Sequence, residues 1–287
     1  MRVTSTDALL LLDKPAGFTS HDMVAVVRRA IGTRKVGHTG TLDPFATGLL
    51  VVLAGRGTRL IQFVPSEPKE YEALVHFGSE TDTDDGTGSV TREAAPPDID
   101  AVRRALPALT GVLSQIPPTY SAKHVDGQRA YALARRGAPP TLAASQVVVH
   151  GWEIVTHTPE SLTARVTCGT GTYIRSLARD LGRLSGSAAH LRALRRTRIG
   201  PFTVTEADTI DMVRGGEMRP RALRDALGGL PEQAVSEADA RRIAHGMRIA
   251  ATVPGERVAL LGADNELLAI ATRSGNEWQP DLVLSGA

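Results

Sequence analysis

The stretch Gly37-His-Thr-Gly-Thr-Leu-Asp-Pro-Phe-Ala-Thr-Gly-Leu-Leu50 holds the side chain best placed to do chemistry, the carboxylate of Asp43. Glycines and a proline fix an irregular backbone around it, and the chain then runs into the apolar segment from Leu49. A carboxylate presented this way sits beside a sheet without exposing the core, where it can serve as a nucleophile. An Asp-Pro pair by itself more often makes only a turn, so the chemistry needs partners from elsewhere in the chain. The single thiol, Cys168, has no activating neighbour in sequence. It reads as a small buried strand residue and can form no internal disulfide.

The elements that must position such a site are legible in outline. Ala8 to Leu12 reads as a short buried strand ended by the turn Lys14-Pro15-Ala16-Gly17. A helix follows, capped by Thr19 or Ser20, with Asp22 in its first turn, a stripe of Met23, Val24, Val27 and Ile31, and Gly32 as its stop. Leu49 to Ala54 reads as a second buried strand. Tyr71, Ala73, Val75 and Phe77 alternate with Glu72, Leu74 and His76, the period of a strand with two unlike faces. Asp98 to Leu106 suits a capped helix disturbed at Pro107. Thr163 to Cys168 is strand-like, and Gly169-Thr-Gly171 hands the chain to a helix with the stripe Ile174, Leu177, Ala178, Leu181 and Leu184, closed at Gly186. On it Arg175, Arg179 and Arg183 share one face. Asp82 to Gly88 has acids at some calcium-loop spacings, but Gly86 and Thr87 fall where that motif is strict, so the segment reads as a solvated hairpin loop.

The composition, 42% apolar and 22% charged over 287 residues, excludes a mostly disordered chain. The length suits one large α/β (α+β) domain over residues 1–230 and a small appended unit over 231–287, divided by the glycine and proline punctuation before Leu230. In the second unit a helix over Glu237 to His245 precedes strands at Val258 to Leu261 and Leu267 to Thr272, a barrel-like module small enough to need the main body for support. Net charge is only +2, but seven arginines against the lone Asp180 lie between Thr172 and Arg198, while acids cluster from Glu80 to Asp100. A polyanion would dock on the basic side. Asp13-Lys14-Pro15 cuts the apolar run Leu9 to Leu12 too short for a membrane span or signal core, which points to a cytoplasmic protein.

The segment around Asp43 resembles the catalytic motif of the bacterial tRNA pseudouridine synthase B (TruB) family, and its companions occur in the family's order. Lys14-Pro-Ala-Gly-Phe-Thr-Ser20, Lys69-Glu-Tyr71, Gly78 with Thr81-Asp-Thr-Asp-Asp85, Pro117-Pro-Thr-Tyr-Ser-Ala122 and Gly171-Thr-Tyr-Ile-Arg-Ser-Leu-Ala-Arg-Asp-Leu-Gly182 are each similar to a family motif. The likeness spans residues 9 to 202, and co-occurrence makes it specific. One departure stands out: Lys123 comes one position before the family's usual lysine, with His124 in its place.

The resemblance implies a mixed, largely antiparallel sheet flanked by helices, an RNA-clasping insertion at about 117–150, and a C-terminal module similar to the RNA-binding PUA domain. It implies isomerisation of the T-loop uridine at position 55 of tRNA, with no cofactor and no metal. Asp43 would be the nucleophile toward C1′ or C6, Arg175 would pair with it and lower its pKa, and Tyr71 would stack on the flipped ring. His38 would fill the vacated space, and Tyr173, Leu194, Lys14 and Arg59 would complete the substrate site. Lys123, Arg129, Arg192, Arg195, Arg196 and Arg198 would meet the RNA backbone. The partner implied is the tRNA T-arm, met by a monomer without membrane or obligatory protein partner. Two rival readings are an RNA-folding protein using the same groove without chemistry and a guide-RNA-dependent synthase subunit. The intact Asp43, Tyr71 and Arg175 motifs disfavour the first, and the chain's own clasping segment disfavours the second.

Overall fold

The computed structural model describes residues 6–121, 124–125, 128–129 and 142–284. Its strands in chain order are β1 Ala8–Lys14, β2 Val36–Thr39, β3 Thr47–Ala54, β4 Lys69–Phe77, β5 Ser79–Thr81, β6 Val90–Glu93, β7 Gly111–Gln115, β8 His124–Val125, β9 Gln128–Arg129, β10 Ser145–Thr158, β11 Ser161–Cys168, β12 Ala189–Ile199, β13 Phe202–Thr203, β14 Asp208–Thr209, β15 Glu232–Ala234, β16 Ile249–Ala250, β17 Arg257–Leu261, β18 Leu267–Ser274 and β19 Glu277–Val283.

A ten-stranded sheet runs β14-β1-β3-β12-β4-β11-β10-β7, with β2 added to β3 and β13 to β12. Only the β1–β14 and β3–β12 pairings in it are parallel, so the expected mixed, largely antiparallel sheet is present. On β4 the alternation holds: Tyr71, Ala73, Val75 and Phe77 are buried in one core with the helices Ile99–Ala105 and Ile174–Leu184, while Glu72 is exposed. Cys168 is buried in the same core, which pushes its thiol up to about 11.

The uninterrupted apolar runs of β1 and β3 have a different cause, burial on both faces. Leu10, Leu12, Leu50 and Val52 pack against helix Ser20–Ile31. Leu9, Leu11, Leu49, Val51 and Leu53 share a core with Ala259, Leu261, Leu267, Ile270 and Leu282 of the C-terminal segment. That segment forms a five-stranded sheet, β15-β17-β18-β19-β16, and leans on the main body as its size requires.

Helix Ser20–Ile31 starts at a capping box between Thr19 and Asp22 and stops where Gly32 turns left-handed at φ 75°. Asp98 caps Ile99–Ala105 through the amide of Ala101 at 2.6 Å. These ends match the sequence signals.

Three features depart from expectation. The strand β12, which the sequence pattern does not announce, lies at the centre of the sheet between β3 and β4 and carries Leu194. Its register shifts at Leu191/Ala193 and Arg196/Arg198 break the period-two pattern that would have revealed it. The loop Asp82 to Gly88 is not solvated throughout: Asp84 and Asp85 are buried beneath the arginine helix. Of the expected clasp, residues 122–123, 126–127 and 130–141, Lys123 among them, lie outside the described residues, and Arg129 is described only as part of the β8–β9 pair.

Candidate active site

Asp43 sits in the loop between β2 and β3, and the preceding helix fixes that loop. Ser20 Oγ accepts from the Leu42 amide at 3.0 Å, and the Gly17 amide donates to the Pro44 carbonyl at 2.8 Å. Lys14 is completely buried, and its Nζ donates to the carbonyls of Phe18 at 2.7 Å, Pro15 at 3.0 Å and Pro44 at 3.3 Å. It staples the N-terminal turn to the Asp43 loop. Burial brings its pKa down to about 8, against the opposing pull of Asp43. Its ammonium is therefore turned toward backbone, not toward a substrate as the sequence suggested.

Arg175 reaches Asp43 from the first turn of its helix. Its Nη2 donates to Asp43 Oδ1 at 3.1 Å, while Nε lies 2.9 Å from Oδ2 but is poorly aligned for a hydrogen bond. The same guanidinium donates to the carbonyls of Thr83 at 2.9 Å and Tyr120 at 3.0 Å, and Nη1 lies 3.4 Å from Asp85 Oδ2. One side chain thus ties together the Asp43 loop, the acidic loop and the start of the 117–150 segment. The net shift of Asp43 is upward, the reverse of the expected direction: burial outweighs the Arg175 charge, and Asp85 adds to the rise. The Asp43 side chain is 36% exposed.

The other arginines of this helix are also matched by acids. Arg179 Nη1 meets Asp84 Oδ2 at 2.8 Å and Arg183 Nη2 meets Glu80 Oε2 at 2.6 Å. The arginines of this helix, expected on the side where a polyanion docks, are thus largely neutralised by the acidic segment.

A cavity of about 200 Å³ opens beside Asp43. Its walls bring together Tyr71, Tyr173, Arg175 and Leu194, four of the residues singled out in the sequence. Burial raises the Tyr71 hydroxyl pKa, so the ring enters as a neutral phenol. Tyr173 is clamped by Gln115, whose Oε1 accepts from the Tyr173 amide at 2.9 Å and whose Nε2 donates to its carbonyl at 3.1 Å.

His38 does not line this cavity. It lies half-buried on β2, edge-on to His21 with ring centroids 5.9 Å apart, and burial followed by the charges of His21 and Arg196 lowers its pKa. Arg59 is not at the site at all. It is exposed and donates to the Val283 carbonyl at 2.6 Å, holding the end of β19.

Among the expected RNA contacts, Arg192 and Arg198 are exposed, and Arg198 donates to the Gly200 carbonyl at 2.7 Å. Arg195 is half-buried against Asp13, with contacts of 2.7 and 3.0 Å. Arg196 must be reassigned: it is 1% exposed, donates to the carbonyls of Leu49 and Gly40, and lines the cavity. A guanidinium held inside the sheet cannot meet phosphates on the outer surface. Lys69, which was not singled out, also lines the cavity. Its signal was available, because it stands two residues before Tyr71 on an alternating strand and so shares its face.

Known proteins agree with this geometry. The model of the TruB family pseudouridylate synthase N-terminal domain matches residues 28–174, and that of the tRNA pseudouridylate synthase B C-terminal domain matches 175–227. The tRNA pseudouridine synthase B of Thermobifida fusca (strain YX) is 44% identical, covering 98% of this chain and 99% of its own. That of Gloeobacter violaceus (strain ATCC 29082 / PCC 7421) is 48% identical, covering 73% of this chain and 74% of its own. Among solved structures, a Cbf5-Nop10-Gar1 complex matches with a TM-score of 0.70 at 25% identity, covering 98% of this chain and 85% of the matched one. With the Asp43 loop, the Tyr71 strand and the Arg175 helix converging on one cavity, and family models spanning those same segments, the chain belongs to the TruB family of pseudouridylate synthases.

Proposed function

We propose that this protein isomerises the T-loop uridine at position 55 of tRNA to pseudouridine, with Asp43 as nucleophile. The observation that carries the reading is the Asp43 carboxylate, ion-paired with Arg175 and opening onto a cavity that Tyr71 and Leu194 also line. The reaction breaks C1′–N1, makes C1′–C5, releases the proton from C5 and returns one to N1, so it needs no oxidant and no water. What it needs is a nucleophile to hold one fragment while the other turns in a closed space. Asp43 holds the fragment, Arg175 orients Asp43, and Tyr71 and Leu194 form walls against which a flat ring can turn. The target base has to leave its stack to enter, at a cost of a few kcal/mol.

The surface arginines Arg192, Arg195 and Arg198 are assigned to phosphates, and Lys123 and Arg129 to the same role in the clasp. The unit over 231–287 is assigned to bracing the RNA outside the T-loop, with residues 1–230 catalytic. No helix among the described residues is long and apolar enough to cross a membrane.

Purified protein should release tritium from C5-labelled uridine in an unmodified T-arm transcript. Asp43→Asn should abolish release while leaving RNA binding within a few-fold. Release at the wild-type rate would remove Asp43 from the role, and wild-type binding without any turnover would favour an RNA-folding protein instead.

A further inference from the structure

The charges lining the cavity do not balance. Its walls hold one acid, Asp43, against three bases, Lys69, Arg175 and Arg196. Arg175 is met by Asp43 and Asp85, but among the described residues neither Lys69 nor Arg196 has a carboxylate in ion-pair range. Arg196 uses Nε on the Leu49 carbonyl at 2.8 Å and Nη2 on the Gly40 carbonyl at 2.9 Å, and its guanidinium also hydrogen-bonds the neutral Tyr71 hydroxyl, so none of these partners brings a counter-charge. Lys69 is 9% exposed.

Both cationic tips converge. A Cβ placed on Gly40 would lie 3.4 Å from Arg196 Nη1 and 3.8 Å from Lys69 Nζ. Gly40 keeps that space clear and adopts φ +68°, a conformation that suits glycine. Burial, and after it the charge of Arg196, pushes the Lys69 ammonium pKa down, and the more distant Glu67 offsets this only in part. Buried uncompensated charge is expensive, and it is found where negative charge arrives with a ligand or develops during a reaction.

Resting on the isomerase reading above, we propose that Lys69, assisted by Arg196, stabilises the negative charge that the uracil ring acquires when its N1–C1′ bond breaks. In that step the bonding pair leaves with N1 and the charge spreads over O2 and O4. In the direct route C1′ is captured by an oxygen of Asp43. C5 then bonds to C1′ as the carboxylate departs with its pair, C5 loses its proton, and N1 gains one. Lys69 shares a strand face with Tyr71, so a ring lying on Tyr71 presents an edge toward it. A phosphate is the poorer occupant, since Tyr71, Ile174 and Leu194 give the small cavity apolar walls.

The test is single-turnover loss of the N1-linked nucleoside in two T-arm substrates, one with uridine and one with 5-fluorouridine at the target. Fluorine makes N1 of the ring more acidic, so the departing ring needs less help. Lys69→Met should slow the uridine substrate by about 10²-fold, with RNA affinity within a few-fold, and should slow the fluorinated one at least ten times less. Lys69→Arg should recover part of the rate. Equal slowing of both substrates, an unchanged rate, or weakened binding with an unchanged single-turnover rate would each overturn the proposal, the last by placing a phosphate on Lys69. A wild-type enzyme that never makes pseudouridine would instead overturn the isomerase reading itself.

Discussion

Arg179 and Asp84 form an ion pair at 2.8 Å with each side chain only 10% exposed, although 95 residues separate them in sequence. The pair locks the acidic loop under the arginine helix, and the neighbouring Arg175 contact to Asp85 then holds the guanidinium that orients Asp43. Burial nonetheless raises the Asp84 carboxyl to about 6. As pH rises the unfolded chain gives up this proton first, so ionisation favours the unfolded state. The stability linked to Asp84 is complete below its unfolded value of 3.8 and is lost as pH climbs through about 6. The difference in unfolding free energy between wild type and Asp84→Asn should therefore fall by on the order of 3 kcal/mol from about pH 3.5 to 7. Denaturant titrations across that range check it, and a flat difference would mean that Arg179 fully compensates the burial.

Arg175→Lys should cost far more in turnover than in binding. Lysine cannot span Asp43, Thr83, Tyr120 and Asp85 together, so the carboxylate loses its fixed direction. Single-turnover rates should drop by about 10²-fold or more with RNA affinity within a few-fold. A variant with an unchanged rate would show that orientation of Asp43 does not depend on the fork.

Arg192 and Arg196 should separate in a salt titration. Arg192→Ala, on an exposed side chain, should weaken RNA binding about equally across sequences and flatten the dependence of log K on log salt by about one unit. Arg196→Lys should leave that slope alone and lower stability, because the carbonyls of Leu49 and Gly40 lose a buried donor. If both variants flatten the slope, Arg196 meets RNA phosphates after all.

Gly48 packs against the Arg196 backbone where β3 pairs with β12. It adopts φ +102°, and a Cβ there would lie 2.2 Å from the Arg196 carbonyl oxygen. Gly48→Ala should destabilise the protein by at least ~1–3 kcal/mol and shift Arg196 within the cavity wall. Thermal unfolding measures the first effect, and a loss of turnover exceeding the loss of folded protein measures the second.

Arg59→Ala is the contrasting case. Its hydrogen bond to Val283 ties the main body to the end of β19, well outside the cavity lining. Stability should fall by about 0.5–1.5 kcal/mol with kcat unchanged. A changed kcat would return Arg59 to the substrate site.

Local pattern determined much of this molecule. Helix ends at Thr19, Gly32 and Asp98, the two-faced strand through Tyr71, and the doubly buried runs of β1 and β3 follow from caps and periods that act over a few residues, so composition and spacing carry them. The Asp43 motif and its companions carried the family in the same way. Tertiary structure alone decided which charges face which. The bulges at Leu191/Ala193 and Arg196/Arg198 turn one arginine of β12 into the cavity and leave others outside, and pairing across the sheet sends Asp84 and Asp85 beneath the helix. A side chain's partner and exposure depend on strand register, and register is fixed by contacts among residues far apart in sequence. That is why the same run of arginines, uniform as a string of letters, divides into surface contacts, ion pairs and a cavity wall once the sheet is built.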